Sequence, residues 1–132
     1  MSVFDRYFDK VYCINLDKRS DRWGKVSKIF VDNNIDGVER YSAVDGNSLN
    51  VDNITYNKSL LKGELGILET HIKLIKEAKE QKLKSILIME DDVYFTKEIE
   101  KFDDYMSHVP NNWDMLFVGG NHLYGETPIK IN

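Results

Sequence analysis

Three short runs in this chain are apolar at almost every position rather than at every second one: VYCINL at 11–16, SILIM at 85–89 and WDMLFV at 113–118. A strand that is apolar on both faces must be covered on both faces. A parallel sheet between two layers of helix does that, whereas an antiparallel sheet with one wet face does not. Between the runs lie segments of helical spacing. In RWGKVSKIFVDNN, Trp23, Val26, Ile29 and Phe30 recur as one helix face, with Ser20 or Asp21 as the expected N-cap and a stop near Asn33 and Asn34.

GVERYSAVDG (37–46) reads as a second strand closed by an Asp-Gly turn, and residues 47–62 read as an irregular loop. From Glu64 to about Lys82 comes the best-patterned helix. One stripe is Leu65, Leu68, Ile72 and Ile75, a neighbouring one is Ile67, His71, Leu74 and Ala78, and lysines fill the far side. TKEIEKFDDYMSHV predicts a further helix starting at Thr96 or Lys97, and 113–120 predicts a strand ending in two glycines. The tail after Gly120, which includes His122 and Glu126, has room for one more short strand. The order β-α-β-loop-α-β-α-β predicts an α/β fold with a mostly parallel sheet and helices on both faces, in a single domain over 1–132. Ligands of such sheets sit beyond the carboxyl ends of the strands. Asn15, Asp45, the acids at 90–92 and the glycines at 119–120 all fall at such ends.

The bulk properties narrow the function by exclusion. Over 132 residues, 42% hydrophobic and 30% charged residues are those of an ordinary globular chain, without the bias of a disordered or fibrous one. A net charge of −4 argues against a sequence-indifferent grip on nucleic acid, which needs a basic stripe. The one cysteine, Cys13, excludes an intrachain disulfide, and its apolar neighbours make it a small buried hydrophobe. MSVFDRYFDK lacks the apolar stretch of a signal peptide and no run is long enough for a membrane span, so the expectation is a cytoplasmic protein.

The acids ending the strand at 85–90 carry the chemistry. Glu90, Asp91 and Asp92 repel one another, and like charges in contact push at least one carboxyl pKa upward. A divalent cation such as Mg²⁺ or Mn²⁺ removes that repulsion with one or two carboxylates, completing its shell with water and phosphate oxygens. If the chain stays extended, Glu90 and Asp92 share one side and form the metal pair, leaving Asp91 to bond a neighbouring segment. The plainer alternative is that the acids cap the next helix or remain solvated. ILIMEDDV also imitates the first strand of a receiver domain. That domain, however, needs the rest of its sheet downstream, and the next apolar run here ends in glycine where a receiver presents its phosphoacceptor aspartate.

Taken together, VYCINLDKRSDRW, YSAVDG, GELGILETHIKLIKEAKEQKLKSILIMEDDV and WDMLFVGG resemble glycosyltransferase family 25, the lipooligosaccharide-type and procollagen-type galactosyl- and glucosyltransferases. The matching pieces are Ile14-Asn15-Leu16 with Arg19 and Asp21-Arg22; Ala43-Val44-Asp45-Gly46; Gly63-Glu64-Leu65-Gly66 with Thr70-His71 where Ser-His is usual; and Glu90-Asp91-Asp92. The resemblance implies a GT-A type, Rossmann-like sheet that binds a UDP-sugar, with a DxD-like acidic motif holding Mn²⁺ or Mg²⁺ on the diphosphate. It assigns Glu90 and Asp92 to the metal, and Asn15, Arg19, Arg22, Asp45, His71 and Asp91 to the donor site. Arg19 and Arg22 would meet phosphate or stack on the base, unless they are surface arginines at a helix end. Asp45 would accept from uracil or ribose, unless it is a plain turn residue. His71 would organise the acidic loop, unless it is a satisfied core histidine; no residue is assigned as catalytic base.

The expected function is therefore metal-dependent transfer of galactose or glucose from a UDP-sugar to a glycan or protein hydroxyl. The family's catalytic region is longer than this chain. That leaves the alternative of a donor-binding module without its acceptor half, inactive alone or completed by a partner chain, with the sheet truncated at its C-terminal side. The exposed edge of so short a sheet would favour a homodimer.

Overall fold

Strand β1 (Lys10–Asn15) is buried from Val11 to Asn15 because it lies in the middle of the sheet. The computed structural model describes residues 2–50 and 61–120. Among these, the sheet has three strands in the order β2–β1–β3, where β2 is Val38–Ser42 and β3 is Ile86–Glu90. Both pairings are parallel, with Cys13 opposite Arg40 on one side and Met89 on the other. Helix α1 (Ser20–Asp32) carries the chain from β1 to β2, and helix α2 (Lys62–Glu80) lies between β2 and β3.

That strand order decides where the helices go. The first crossover steps from β1 to one neighbour and the second steps back across β1 to the other, so right-handed connections put α1 and α2 on opposite faces. Side chains agree. On one face Tyr12 and Ile14 pack against Leu74 of α2, with Tyr41, Ala43, Ile86 and Ile88 around them. On the other, Cys13 and its partner Arg40 face α1, whose Trp23 ring lies 5.9 Å from the Arg40 guanidinium. Val26 and Phe30 are the buried residues of α1, each contributing about 1.5–3 kcal/mol by leaving water.

Two expectations are corrected in this unit. Helix α1 has no Ser or Asp cap: it begins at Ser20, and Arg19 occupies the N-cap position without a side-chain cap bond. The reason lies next door, since Asp21 instead accepts from the Arg19 guanidinium. The buried line of α2 is Leu65, Gly66, Thr70, Leu74 and Ala78, whereas Ile75 is 51% exposed; Gly66 and Thr70 face the turn after β2 because the backbones approach closely there. Strand β2 is exposed or half-exposed at all five positions, and among the described residues it pairs only with β1. The stop of α1 is as expected: Asn34 takes a left-handed φ of 56°, and the Ile35 and Asn34 N–H groups bond the Phe30 and Val31 carbonyls.

The chain divides into two compact units, Met1–Tyr94, just described, and Phe95–Asn132. In the second, the Thr96 hydroxyl caps a 3₁₀ turn (Lys97–Lys101) that runs into helix α3 (Phe102–Ser107). The strand expected over 113–120 does not form: Met115, Phe117 and Val118 are 72%, 74% and 49% exposed. An apolar run becomes a strand only beside a neighbouring strand, and 113–120 joins no sheet among the described residues. The tail strand, with His122 and Glu126, and most of the loop at 47–62 lie outside the described residues; inside them the loop contains a 3₁₀ turn, Gly46–Ser48. Among the described residues no helix is long and apolar enough to cross a membrane.

Candidate functional site

A sheet of order 2-1-3 has its switch point between β1 and β3, the crevice where doubly wound folds bind ligands. Here that crevice is bridged by side chains. Asn15, the last residue of β1 and 1% exposed, donates its Nδ2 to Asp91 Oδ2 at 2.7 Å and to the Arg19 carbonyl at 3.1 Å. Arg22, in the first turn of α1, places Nε 3.1 Å from Asp91 Oδ1 and Nη2 3.7 Å from Asp92 Oδ2. Asp91 is thus held on both oxygens, and its side chain is only 12% exposed.

The geometry of the acids differs from the extended one. Strand β3 stops at Glu90, and the Val93 N–H bonds back to the Glu90 carbonyl at 3.1 Å, so Asp91 and Asp92 lie in a turn where strand alternation no longer applies. Exposure nonetheless separates them: the Glu90 and Asp92 side chains are 49% and 67% open, and Asp91 is turned inward. His71 Nε2 on α2 lies 3.9 Å from Glu90 Oε1, an ion-pair distance too long for a hydrogen bond. His71 first, and Arg22 after it, holds the Glu90 carboxyl below its usual range against the opposing effect of burial. The mutual repulsion is therefore relieved by the protein's own groups, the Arg22 guanidinium and the His71 ring.

Asp45 and Arg19 stand apart from this cluster. Asp45 caps the 3₁₀ turn, accepting from the Asn47 N–H at 3.0 Å, and pairs with Lys18 Nζ at 2.9 Å; Lys18 first, then Asn47, keeps its carboxyl below the usual range. It borders a cleft of about 270 Å³ at the carboxyl ends of β1 and β2, walled by Leu16, Lys18, Val44, Asn47 and Ile67 among others. Arg19 makes a two-point contact with Asp21, at 2.9 and 3.0 Å, and points to none of the other site residues.

The wall of that cleft explains a pattern that the sequence presents without a reason. A Cβ on Gly66 would fall 2.7 Å from the Val44 carbonyl oxygen and 2.8 Å from the Gly46 nitrogen; one on Gly46 would fall 1.7 Å from the Lys62 carbonyl oxygen. The turn after β2 and the start of α2 therefore touch backbone to backbone. Thr70, fully buried one turn after Gly66, accepts from the Val44 N–H at 2.9 Å and donates to the Gly66 carbonyl at 2.6 Å. Glu64 reaches back to the Leu61 N–H at 3.0 Å; Leu61 has no side-chain acceptor, so this is half of a capping box.

Sequence reasoning missed Arg40, Asp17 and Ser42. Arg40 Nη2 lies 2.6 Å from Asp17 Oδ1, which also accepts from the Ser42 hydroxyl at 2.8 Å, and these two partners, Arg40 first, hold the Asp17 carboxyl below its usual range. The available signal was an arginine within an edge strand of a chain with only 4 arginines to 14 lysines.

Among the described residues no group of three or more His, Cys, Asp or Glu side chains is placed to hold a metal ion. Two exposed carboxylates, Glu90 and Asp92, are a fit for Mg²⁺ or Mn²⁺ of the shared kind, where substrate phosphates and water supply the other oxygens.

Fold and site together define a doubly wound α/β unit whose polar side chains gather at the switch point of its sheet. The sequence matches "Glycosyltransferase family 25 (LPS biosynthesis protein)" over residues 8–124, and the chain belongs to that family. It is 26% identical to procollagen galactosyltransferase 2 of Homo sapiens, covering 98% of this chain and 24% of that protein. It is 28% identical to procollagen galactosyltransferase 1 of Danio rerio, covering 93% and 23%, and 29% identical to a glycosyltransferase 25 family member of Drosophila pseudoobscura pseudoobscura, covering 66% and 16%. The chain spans about a quarter of the length of the procollagen relatives it matches.

Proposed function

We propose that this chain is the donor-binding part of a GT-A type hexosyltransferase that moves galactose or glucose from a UDP-sugar to a hydroxyl of a glycan or protein. The observation that carries the reading is the meeting of Asn15, Arg22, Asp91 and Asp92 at the switch point, in a chain of this family. The names of the relatives favour galactose.

In this reading the nucleoside enters the cleft beside Asp45, whose carboxylate accepts from uracil or ribose once Lys18 moves aside. The diphosphate lies toward the turn at 90–92. Arg22, and Arg19 after release from Asp21, meet the phosphate oxygens with planar guanidinium groups. Glu90 and Asp92 would hold Mn²⁺ or Mg²⁺, and the chemistry such an ion would supply is to offset charge on the leaving diphosphate. Asp91, fixed by Asn15 and Arg22, keeps the turn in place, and His71 keeps Glu90 ionised. The anomeric carbon–phosphate oxygen bond breaks with its electron pair leaving on UDP, while the acceptor oxygen bonds that carbon and passes its proton to solvent water.

The test is the melting temperature with UDP and Mn²⁺, followed by UDP-galactose and UDP-glucose turnover. Ligand at 100 times its Kd adds about 2.7 kcal/mol of stability, and Asp92→Asn is expected to abolish that gain. No shift in the native chain overturns the donor site, and an unchanged shift in Asp92→Asn overturns the metal assignment. Binding without turnover favours a second reading, a nucleotide-sugar-binding module that is inactive alone or completed by a partner chain. A homodimer through the exposed edge of β2 is the accompanying proposal for assembly, read by sedimentation.

A further inference from the structure

We infer that Arg40 is the positioning residue of this site, setting the orientation of the Asn15 carboxamide and, through it, the seat of Asp91. Its importance for catalysis rests on the donor-site reading above; the positioning itself does not.

The Asn15 side chain has one oxygen that accepts and one nitrogen that donates twice. Arg40 Nε lies 3.0 Å from Oδ1. A guanidinium has donors and no acceptor, so whatever atom faces it must be the oxygen. That fixes the nitrogen on the opposite side, where it donates to Asp91 Oδ2 at 2.7 Å and to the Arg19 carbonyl at 3.1 Å.

Arg40 is itself held. Its Nη2 bonds the Asn15 main-chain carbonyl at 3.3 Å and Asp17 Oδ1 at 2.6 Å, and the Trp23 ring lies 5.9 Å from its Cζ. The register explains its reach. Arg40 lies opposite Cys13, so with Ser42 it shares the face of β1 from which Asn15 projects. Without the guanidinium, Oδ1 loses its donor and the amide is held from its nitrogen side alone, by Asp91 and the Arg19 carbonyl, which loosens the seat that Asp91 shares with Arg22. Lysine cannot substitute, because a single ammonium does not reproduce the fork that spans Oδ1, the carbonyl and Asp17.

The experiment uses the full chain labelled with ¹⁵N, the Asn15 side-chain NH₂ pair being assigned by its loss in Asn15→Asp. In Arg40→Gln and in Arg40→Lys that pair is expected to move or broaden. In Glu39→Gln, an adjacent change on the opposite face of β2, it is expected to stay. An Asn15 pair left in place in Arg40→Lys overturns the inference, and Arg40→Lys decides the matter if Arg40→Gln does not fold. The dissociation constant for UDP with Mn²⁺ is expected to rise about tenfold in both Arg40 variants, the scale of one lost charge-assisted bond. A shifted Asn15 pair in a chain whose unsubstituted form binds no UDP retains the positioning role and removes the donor reading, so the two fail separately.

Discussion

Alanine at Gly66 and at Gly24 should change stability in opposite directions, although both glycines sit inside helices. Gly24 in α1 has nothing within 4 Å of the position a Cβ would take, so Gly24→Ala brings only the helix-propensity gain, about 0.5–1 kcal/mol. Gly66 in α2 receives the same gain and loses more. Its added carbon would lie 2.7 Å from the Val44 oxygen, 0.7 Å short of the 3.4 Å at which ordinary contact begins. The obstructing atoms, the Val44 oxygen and the Gly46 nitrogen and Cα, are all backbone, so no side chain can swing away. Overpacking of this kind costs about 1–3 kcal/mol. Opening the gap also stretches the bond from the Val44 N–H to Thr70, worth about 0.5–1.5 kcal/mol. The net expectation for Gly66→Ala is a loss of about 1–3 kcal/mol. Urea unfolding of the two variants beside the parent reads both signs; with a slope of about 2 kcal/mol per molar, a 2 kcal/mol loss lowers the midpoint by roughly 1 M. If Gly66→Ala is as stable as Gly24→Ala, the turn after β2 does not rest on α2 in solution and the account of the cleft wall fails.

Other consequences follow from single groups. Thr70→Val keeps the shape of a fully buried side chain but strands the Val44 N–H, and should cost about 1–3 kcal/mol in the same urea assay, while Thr70→Ser should lose less because the hydroxyl remains. The Arg19 guanidinium holds the Asp21 carboxyl down to about 2. A lowered carboxyl contributes stability above its unfolded value near ~3.9, and that contribution is lost as pH falls from there through about 2. NMR titration of Arg19→Gln should find Asp21 back near its ordinary value. Burial, with Asp91 and Asp92 behind it, pushes the Cys13 thiol up to about 12, so alkylation by iodoacetamide at pH 8 should need unfolding; labelling in the native state at the rate of a free thiol would contradict its place in the core.

What the sequence disclosed follows from how local each feature is. Strand β1 and helix α1 declare themselves because their burial is periodic along the chain: Val11 to Asn15 without a break, then Val26 and Phe30 one turn apart. The stop at Asn33 and Asn34 is likewise written in the residues that make it. Helix α2 is legible as a helix, but its buried face is not. Hydropathy favours Ile72 and Ile75 over Gly66 and Thr70, while the turn after β2 selects whatever lets two backbones touch. That preference depends on Val44 and Gly46, segments that meet α2 only in the folded chain. The run at 113–118 is the same problem in reverse, since its strand-like residues specify no neighbour.

The acids show the distinction most clearly. Their charge and position were plain, and so was the need for something to relieve them. The relief is non-local: Arg22 comes from α1, His71 from α2 and the Asn15 amide from β1. Arg40 is further still from the reach of pattern, because its effect on Asp91 passes through an amide whose two ends look alike until a donor is placed beside one of them. A single chain can reveal which residues are chemically expensive to place at a strand end. Which partners meet that cost is a property of the topology, and here the 2-1-3 strand order brings β1, α1 and β3 to one edge, where a polar residue in any one of them becomes a partner of the other two.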